Sequence, residues 1–240
     1  MYPFEAWLSE AQVHLENTGR PLVSLCYAQS LDGSLSDQAG RPYALSGTQT
    51  LQLTHRLRSL HAAILVGVGT VLADDPRLTV RLADGEPPRP IVLDSSLRTP
   101  PTARLVQSAL RPPWIITTHA ASDERRAALE AQGAEIFDLP EDGRGRISLP
   151  AALDFFGQRG VHSLMVEGGG RILQSFLQGQ KADQVILTIA PLYLGGAPVI
   201  EPWGRSIQTP LRLSEAGSQQ LGEDVVIWGR LKAPSLDNSN

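Results

Sequence analysis

Short apolar runs alternate with amphipathic segments along most of the chain. The runs are typical of buried strands, and the segments between them carry apolar residues at helical spacing. Strands are predicted at 21–28, 63–66, 89–94, 114–118, 134–137, 162–166 and 183–190. Helices are predicted at 4–16, 48–61, 122–132, 149–159 and 172–177. The alternation predicts an α/β fold with a mostly parallel central sheet flanked by helices, which 211–213 and 225–228 close as an antiparallel pair.

The chain of 240 residues has no long polar linker, so the pattern predicts one main domain. Its expected bounds are 21–232. The amphipathic segment before it is expected to form an N-terminal helical extension over 1–20, packed on the domain or on a second subunit. The polar residues at 233–240 are expected to form a disordered tail.

Composition excludes several functional classes. A net charge of −4 and an aromatic content of 5% argue against a nucleic-acid surface, which needs a basic stripe or stacking aromatics. Cys26 is the only cysteine, and the five histidines lack metal-ligand spacing, so neither an internal disulfide nor a metal site is expected. Neither a signal peptide nor a membrane-spanning run is recognised, so we expect a cytoplasmic protein without membrane contact.

Candidate ligand-binding residues follow the apolar run at 63–66, in the segment GVGTVLADDPRLTVR at 67–81. Ligands of open α/β sheets bind beyond the carboxyl ends of the strands. Asp74 is expected to contact a cofactor's ribose or amide, with a structural cap as the alternative, because a helix stop and turn explains only one of the two adjacent carboxylates. Arg58 and Arg81 are expected to converge on one phosphate, whereas Arg77 is expected to be solvated.

A second candidate site is the segment VEGGGR at 166–171, where a predicted strand meets a predicted helix. Glycines let a ligand approach the backbone, and the start of a helix favours phosphate, although a merely tight turn is the alternative. Glu167 is either a substrate anchor, which we favour, or part of a polar network. Gly67 and Gly69 lack the third glycine of a dinucleotide fingerprint, so that pattern is weak alone.

Six segments taken together are similar to one known family: SLDG at 30–33, LR at 57–58, residues 63–81, VLDS at 92–95, VEGG at 166–169 and IAP at 189–191. In this order, over about residues 21–230, they resemble the reductase domain of the bacterial bifunctional deaminase/reductase of riboflavin biosynthesis. The resemblance implies a dihydrofolate-reductase-like fold and a homodimer. It also implies NADPH-dependent reduction of 5-amino-6-(5-phosphoribosylamino)uracil to 5-amino-6-(5-phosphoribitylamino)uracil, by hydride transfer to ribosyl C1′.

Site residues carry over from the family by their positions in these motifs. The resemblance implies that the phosphorylated substrate is held by Arg58, Leu78, Arg81 and Glu167. It implies NADPH contacts at Ala28, Thr70, Asp74, Ser95, Gly169, Gly170, Arg171, Ile172, Leu173 and onward to Ser175. No dedicated nucleophile or other catalytic residue is implied, because the protein mainly supplies orientation and electrostatics.

Three positions depart from the family's pattern. Cys26 stands where a lysine is often found, Pro42 where a substrate-contacting serine is found, and Ala44 within a segment that usually reads Trp-Ile-Ser. They fall on the pyrimidine side, and they motivate a second hypothesis, a related NADPH reductase of another pyrimidine or pterin-like compound. A third is a non-catalytic nucleotide-binding module. One cysteine cannot form the zinc site of the fused deaminase, so a separate deaminase is an expected partner.

Overall fold

A nine-stranded sheet forms the centre of the computed structural model, which describes residues 2–107, 110–119, 121–200 and 210–232. Its strands are β1 (Leu22–Ser30), β3 (Ala63–Gly67), β4 (Arg89–Leu93), β5 (Trp114–Thr117), β6 (Glu135–Asp138), β7 (Ser163–Val166), β8 (Gln184–Ala190), β10 (Arg212–Leu221) and β11 (Asp224–Lys232). A small second sheet pairs β2 (Ser34–Ser36) with β9 (Ala197–Pro198). The helices are α1 (Pro3–Ser9), α2 (Ala11–Thr18), α3 (Thr48–Leu60), α4 (Val68–Asp74), α5 (Arg104–Gln107), α6 (Asp123–Glu130), α7 (Leu149–Gln158) and α8 (Gly170–Gln178).

The strand order is β10-β11-β8-β1-β7-β3-β4-β5-β6. All pairings from β8 to β6 are parallel, whereas β11 pairs antiparallel with both β8 and β10. The predicted α/β fold with a mostly parallel sheet and a closing antiparallel pair is therefore confirmed. Among the described residues, no helix is both long enough and apolar enough to cross a membrane.

The central strands are continuous apolar runs because both faces of the sheet are covered. In β3, Ile64 and Val66 belong to one buried cluster, and Ala63 and Leu65 belong to the cluster on the opposite face. All four are 0% exposed. Side chains alternate between the faces of a strand, so a strand with two covered faces needs apolar residues at every position.

The N-terminal segment forms two helices where one was predicted over 4–16, because the helical path is interrupted at Glu10 between α1 and α2. Phe4 and Trp7 are buried, and the Phe4 ring lies edge-on to Trp228 of β11 with ring centroids 5.8 Å apart. The segment thus packs on the sheet of its own chain. The proposed tail at 233–240 lies outside the described residues.

Helix α3 is anchored by a carboxylate from a distant strand. The N-cap position of this helix is Gly47, which has no side chain to cap it. Instead the Asp224 carboxylate accepts hydrogen bonds from the Gly47 N–H, at 2.8 Å, and from the Thr50 hydroxyl. A carboxylate also suits the positive end of the helix dipole. This anchor fixes the helix that carries Arg58.

Candidate active site

The candidate site lies where the carboxyl ends of adjacent parallel strands meet. Strands β1, β7, β3 and β4 are consecutive neighbours in the sheet. Leu25 of β1 pairs with Val166, the last residue of β7, so the rest of β1 extends past its neighbour. Ala28 lies on this extension and is partly exposed. The extended strand borders the segment that follows Val166, as expected for a cleft beyond the strand ends.

Arg58 and Glu167 form a bidentate ion pair in the cleft. Nε and one terminal nitrogen of the guanidinium each donate to a different carboxylate oxygen of Glu167, both at 2.6 Å. The side chains are 12% and 11% exposed, and the other terminal nitrogen donates to the Thr79 carbonyl at 3.0 Å. Burial lowers the pKa of Arg58, but the charge and hydrogen bonds of Glu167 outweigh burial and raise the pKa overall. Arg58 therefore points to the start of the glycine turn.

The glycine turn at 168–170 packs against helix α4. Gly169 has φ of +78°, a conformation that non-glycine residues rarely adopt, and a Cβ there would lie 3.1 Å from the Thr70 hydroxyl. On the other side, a Cβ at Gly67 would lie 2.8 Å from the Ile172 side chain. The two glycine-containing junctions named from the sequence are therefore in close contact.

Helix α8 leaves backbone donors open at its start. The N–H groups of Ile172 and Leu173 both donate to the Gly169 carbonyl, at 2.9 and 3.1 Å. No side chain among the described residues caps this helix. The N–H groups of Gly170 and Arg171 have no hydrogen-bond acceptor among the described residues. Unsatisfied donors and the helix dipole favour an anion here. The Leu173 side chain is 0% exposed, so it does not reach the cleft.

A cavity of about 310 Å³ adjoins this pair of junctions. Its lining residues are Arg58, Asp74, Asp75, Pro76, Arg77, Leu78, Arg81 and Arg104. Three of the four residues expected to hold substrate thus line one cavity, and the fourth, Glu167, is bonded to one of them. Asp74, expected on the cofactor side, lines it as well.

Positive charge dominates this cavity. Arg104 is paired with Asp75, whose carboxylate accepts from the Arg104 N–H at 2.8 Å and from its Nε at 3.0 Å. Burial, followed by the charges of Arg58, Arg77 and Arg104, lowers the pKa of Arg81. Arg77, expected to be solvated, is exposed but also borders the cavity. Neighbouring guanidinium groups that repel one another create a potential that suits a phosphate dianion.

The two adjacent carboxylates have different surroundings. Asp75 ends helix α4 in a left-handed conformation, with φ of +41°, and carries the ion pair with Arg104. No described residue donates a hydrogen bond to Asp74, and burial raises the pKa of its carboxyl. The turn explains Asp75, and Asp74 remains available to a ligand.

The loop after α4 is held by a histidine that the sequence pattern did not single out. His55 of α3 is buried, and its Nδ1 accepts a hydrogen bond from the Arg81 N–H at 2.9 Å. Burial, with the charges of Arg58 and Arg81, lowers the pKa of His55 to about 4. Leu78 in the same loop has φ of +54° and is 2% exposed. A leucine in this strained conformation fixes the path that brings Arg81 to the cavity.

Ser95, expected to contact the cofactor, and Cys26, a departure from the family's pattern, lie on or after strands that border the cleft. Ser95 follows β4, and its carbonyl accepts from the Thr118 hydroxyl at 3.0 Å. Cys26 of β1 is buried; burial, and then the negative charge of Glu167, raise the pKa of the thiol well above its usual range. The thiol is therefore neutral at physiological pH, and Arg58 is the cation that balances Glu167.

Among the described residues, no cluster of histidine, cysteine and carboxylate side chains suits a metal ion.

Comparison with known proteins decides the family. Residues 21–227 match the profile of the RibD C-terminal domain. The chain belongs to the RibD C-terminal domain family. The resemblance inferred from the motifs is thereby confirmed.

Several relatives of the RibD C-terminal domain are similar over most of the chain. The 2,5-diamino-6-ribosylamino-4(3H)-pyrimidinone 5′-phosphate reductase of Archaeoglobus fulgidus is 36% identical over 88% of this chain and 98% of its own length. The enzyme of that name from Methanothermobacter thermautotrophicus is 35% identical over 87% of this chain and 97% of its own length. The riboflavin biosynthesis protein RibD of Aquifex aeolicus is 35% identical over 87%, but the chain spans only 57% of it.

Solved RibD-family structures agree with this fold. RibD of Acinetobacter baumannii has a TM-score of 0.80 at 23% identity, over 95% of this chain and 63% of that one. The riboflavin biosynthesis reductase Rib7 of Saccharomyces cerevisiae has a TM-score of 0.74 at 26% identity, over 96% of this chain and 100% of that one.

Proposed function

We propose that the protein reduces 5-amino-6-(5-phosphoribosylamino)uracil to 5-amino-6-(5-phosphoribitylamino)uracil with NADPH as the hydride donor. The expectation of an oxidoreductase of riboflavin biosynthesis is confirmed by the relatives of the RibD C-terminal domain. The observation that carries the specific proposal is the Arg58–Glu167 pair, which joins the arginine-lined cavity to the glycine turn at the start of α8.

Membership of this reductase family implies a nicotinamide cofactor, and the glycine turn fits one. A side chain at Gly169 would crowd the Thr70 hydroxyl, and the N–H groups of Gly170 and Arg171 are open. We assign the dinucleotide's pyrophosphate to these two N–H groups and to Thr70. Ala28 of β1 and Asp74, the last residue of α4, are assigned to the same cofactor. When bound, the cofactor supplies the hydride.

The arginine-lined cavity is assigned to the sugar phosphate. Arg58 and Arg104 each have a carboxylate partner, so Arg81 and Arg77 contribute the cations best able to bind a phosphate dianion. Burial, and then repulsion from Arg58, Arg77 and Arg104, lowers the pKa of Arg81, and a bound dianion relieves this repulsion. Each oxygen of Glu167 has a second lone pair that can accept an N–H of the pyrimidine.

The chemistry requires little beyond positioning. The hydride adds to C1′ of the opened ribosyl group, which is present as an imine, and the imine nitrogen takes up a proton. Holding the phosphate and the pyrimidine at opposite ends of the substrate fixes C1′ between them, so the protein contributes mainly orientation and electrostatics. Cys26, buried as a neutral thiol beside Glu167, adds no charge to this region.

A second candidate substrate is favoured by the archaeal relatives, which the chain matches over 97–98% of their length. Their names specify the 2,5-diamino-pyrimidinone phosphate, which carries an amino group at ring position 2 where the uracil compound carries an oxygen. Purified protein is tested with NADPH and each of the two phosphates. Turnover of the uracil compound supports the first assignment, turnover of the diamino compound alone supports the second, and turnover of neither contradicts both.

We further propose that the protein is a cytoplasmic homodimer that works with a separate deaminase. A solved relative from Thermotoga maritima is named as both a deaminase and a 5-amino-6-(5-phosphoribosylamino)uracil reductase, and the single cysteine of these 240 residues cannot form a deaminase zinc site. Light scattering of the purified protein tests the dimer: a mass of one chain contradicts it.

A further inference from the structure

Asp32 accepts four hydrogen bonds in a turn that has no role in the function proposed above. One carboxylate oxygen accepts from the Ser30 hydroxyl at 2.6 Å and from the Leu194 N–H at 3.0 Å. The other accepts from the Ser34 hydroxyl at 2.9 Å and from the Gly195 N–H at 2.7 Å. These bonds, chiefly the one from Ser30, hold the pKa of the Asp32 carboxyl well below its usual range. The carboxylate is therefore ionised at physiological pH, and hydrogen bonds to an ionised acceptor are strong.

The four bonds join two loops that are far apart in the chain. Ser30 is the last residue of β1 and pairs with Ala190, the last residue of β8, so both loops leave the same end of the sheet. The Leu31 N–H donates to the Leu192 carbonyl at 2.9 Å, which adds one backbone bond between them. The turn after β1 and the loop at 191–196 are thus held side by side.

Both loops continue into the small second sheet of β2 and β9. Its strands have three and two residues, and a pair this short is not stable by itself. The Ser34 hydroxyl, which donates to Asp32, also accepts from the Gly196 N–H at 3.1 Å. A Cβ at Gly196 would overlap the Ser36 carbonyl, so the two loops approach as closely as a glycine allows. The side chains of Asp32 and Ser34 therefore supply bonds that the short strands lack.

The small second sheet packs directly against the start of helix α8. A Cβ at Gly170 would lie 3.1 Å from the Val199 carbonyl, and 3.4 Å from both the Pro198 carbonyl and the Leu35 side chain. Val199 is 3% exposed and belongs to the same buried cluster as Leu173 of α8. The N–H of Gly170 is one of the two donors assigned to the pyrophosphate. The position of the small second sheet therefore affects the position of this donor.

We propose that Asp32 is a positioning residue for the dinucleotide. Its carboxylate holds the loop at 191–196 against the turn after β1, and the small second sheet then holds Gly170 in the geometry that binds the pyrophosphate. This role rests on the proposed function, because it requires a dinucleotide at the glycine turn. Neither loop lines the arginine-lined cavity, so loss of Asp32 should weaken binding of the cofactor and not of the phosphorylated pyrimidine.

Asp32→Asn removes hydrogen bonds but keeps the shape of the side chain. Each carboxylate oxygen accepts from one hydroxyl and one backbone N–H. A hydroxyl can turn to accept from the new amide group, but a backbone N–H cannot, so one N–H loses its acceptor. Ser34→Ala is a milder second variant. The matched control is Asp142→Asn, because this carboxylate accepts from the N–H groups of Arg144 and Arg146 in the turn after the edge strand β6.

Digestion with chymotrypsin tests the contact between the loops without any cofactor. Tyr193 is 78% exposed, and the peptide bond that follows it carries the Leu194 N–H bonded to Asp32. Cleavage requires that this segment open locally. We expect cleavage after Tyr193 to be about tenfold faster in Asp32→Asn, to increase less in Ser34→Ala and to be unchanged in Asp142→Asn. Unchanged cleavage in both test variants overturns the proposal.

Calorimetry and steady-state kinetics test the link to the cofactor. We expect Asp32→Asn to bind NADPH about tenfold more weakly, with KM for the phosphorylated pyrimidine, and kcat at saturating NADPH, within about twofold of wild type. Unchanged NADPH affinity overturns the link. A parallel rise in KM for the pyrimidine also overturns it, because such a rise indicates a general disturbance of the cleft. Failure of the wild type to bind NADPH contradicts the proposed function itself, whereas digestion still decides whether Asp32 holds the loop.

Discussion

The guanidinium of Arg58 and the carboxylate of Glu167 share two hydrogen bonds of 2.6 Å, although the residues are 109 positions apart in the chain. The pair joins the last turns of α3 to the residue that follows β7. Because both side chains are nearly inaccessible to water, each neutralises a charge that is costly to bury alone. The pair therefore contributes to stability as well as to the proposed site.

Removing either partner is expected to destabilise the fold. Arg58→Ala and Glu167→Ala should each lower the free energy of unfolding by about 3 kcal/mol, because each leaves the other charge without its partner. The double variant should lose less than the sum of the two, and a urea-unfolding cycle measures this coupling. Additive losses would show that the pair contributes no coupling energy. All three variants should lose turnover.

Replacing Arg81 by alanine should affect the substrate and not the cofactor. We expect KM for the phosphorylated pyrimidine to rise about 10- to 100-fold, because a charged hydrogen bond to the phosphate is lost. The dephosphorylated analogue should bind wild type and variant equally weakly. Arg77→Ala should show a smaller effect, since Arg77 lies at the exposed border of the cavity. An equal loss of NADPH affinity would contradict the assignment of Arg81 to the substrate phosphate.

Gly169→Ala should weaken dinucleotide binding about tenfold or more, because the new methyl group closes the approach to the backbone N–H groups. The strain of its positive φ should also cost about 1–2 kcal/mol of stability. Gly133→Ala is a matched control, since Gly133 has φ of +86° and open space around its Cα. The control should lose similar stability yet bind the dinucleotide normally. Normal binding by Gly169→Ala would count against the glycine turn as the pyrophosphate site.

Stability should fall as the pH is lowered from about 6.5 to about 4. His55 and His61 both have a pKa of about 4 in the folded protein, primarily because of burial. In this interval the unfolded chain binds protons that the folded protein excludes, so each histidine contributes at most about 1.4 kcal/mol per pH unit.

Urea unfolding at pH 7 and pH 5 measures this slope. His55→Asn keeps a hydrogen-bond acceptor for the Arg81 N–H but does not titrate, so it should show a smaller slope than the wild type. An unchanged slope would mean that His55 already titrates normally in the folded protein.

Local sequence pattern was sufficient for most of the fold. Continuous apolar runs predict β3, β5 and β7 because these strands are covered on both faces. Helix α4 was missed, since it follows β3 directly and is only seven residues long. The break between α1 and α2 was missed as well, because the apolar positions continue across Glu10 at helical spacing.

The site was less accessible from sequence, since its contacts join distant segments. Arg58, Arg81, Asp74 and the glycine turn could be proposed from the sequence because they follow strand ends or belong to recognisable motifs. Arg104 and His55 gave no such signal: one pairs with Asp75 across 29 positions, and the other bonds to the backbone of Arg81 across 26. Pairings of this kind depend on tertiary packing, which periodicity does not report.

Hydride transfer to the ribosyl carbon is tested most directly with NADPH carrying deuterium at nicotinamide C4, on the reactive face. Each phosphorylated pyrimidine is incubated with this cofactor and the product is analysed by mass spectrometry. The account predicts a ribitylamino product that has gained one deuterium at C1′, and no product when the phosphate is removed. Oxidation of the cofactor without deuterium at C1′, or no turnover of either phosphate, would contradict it.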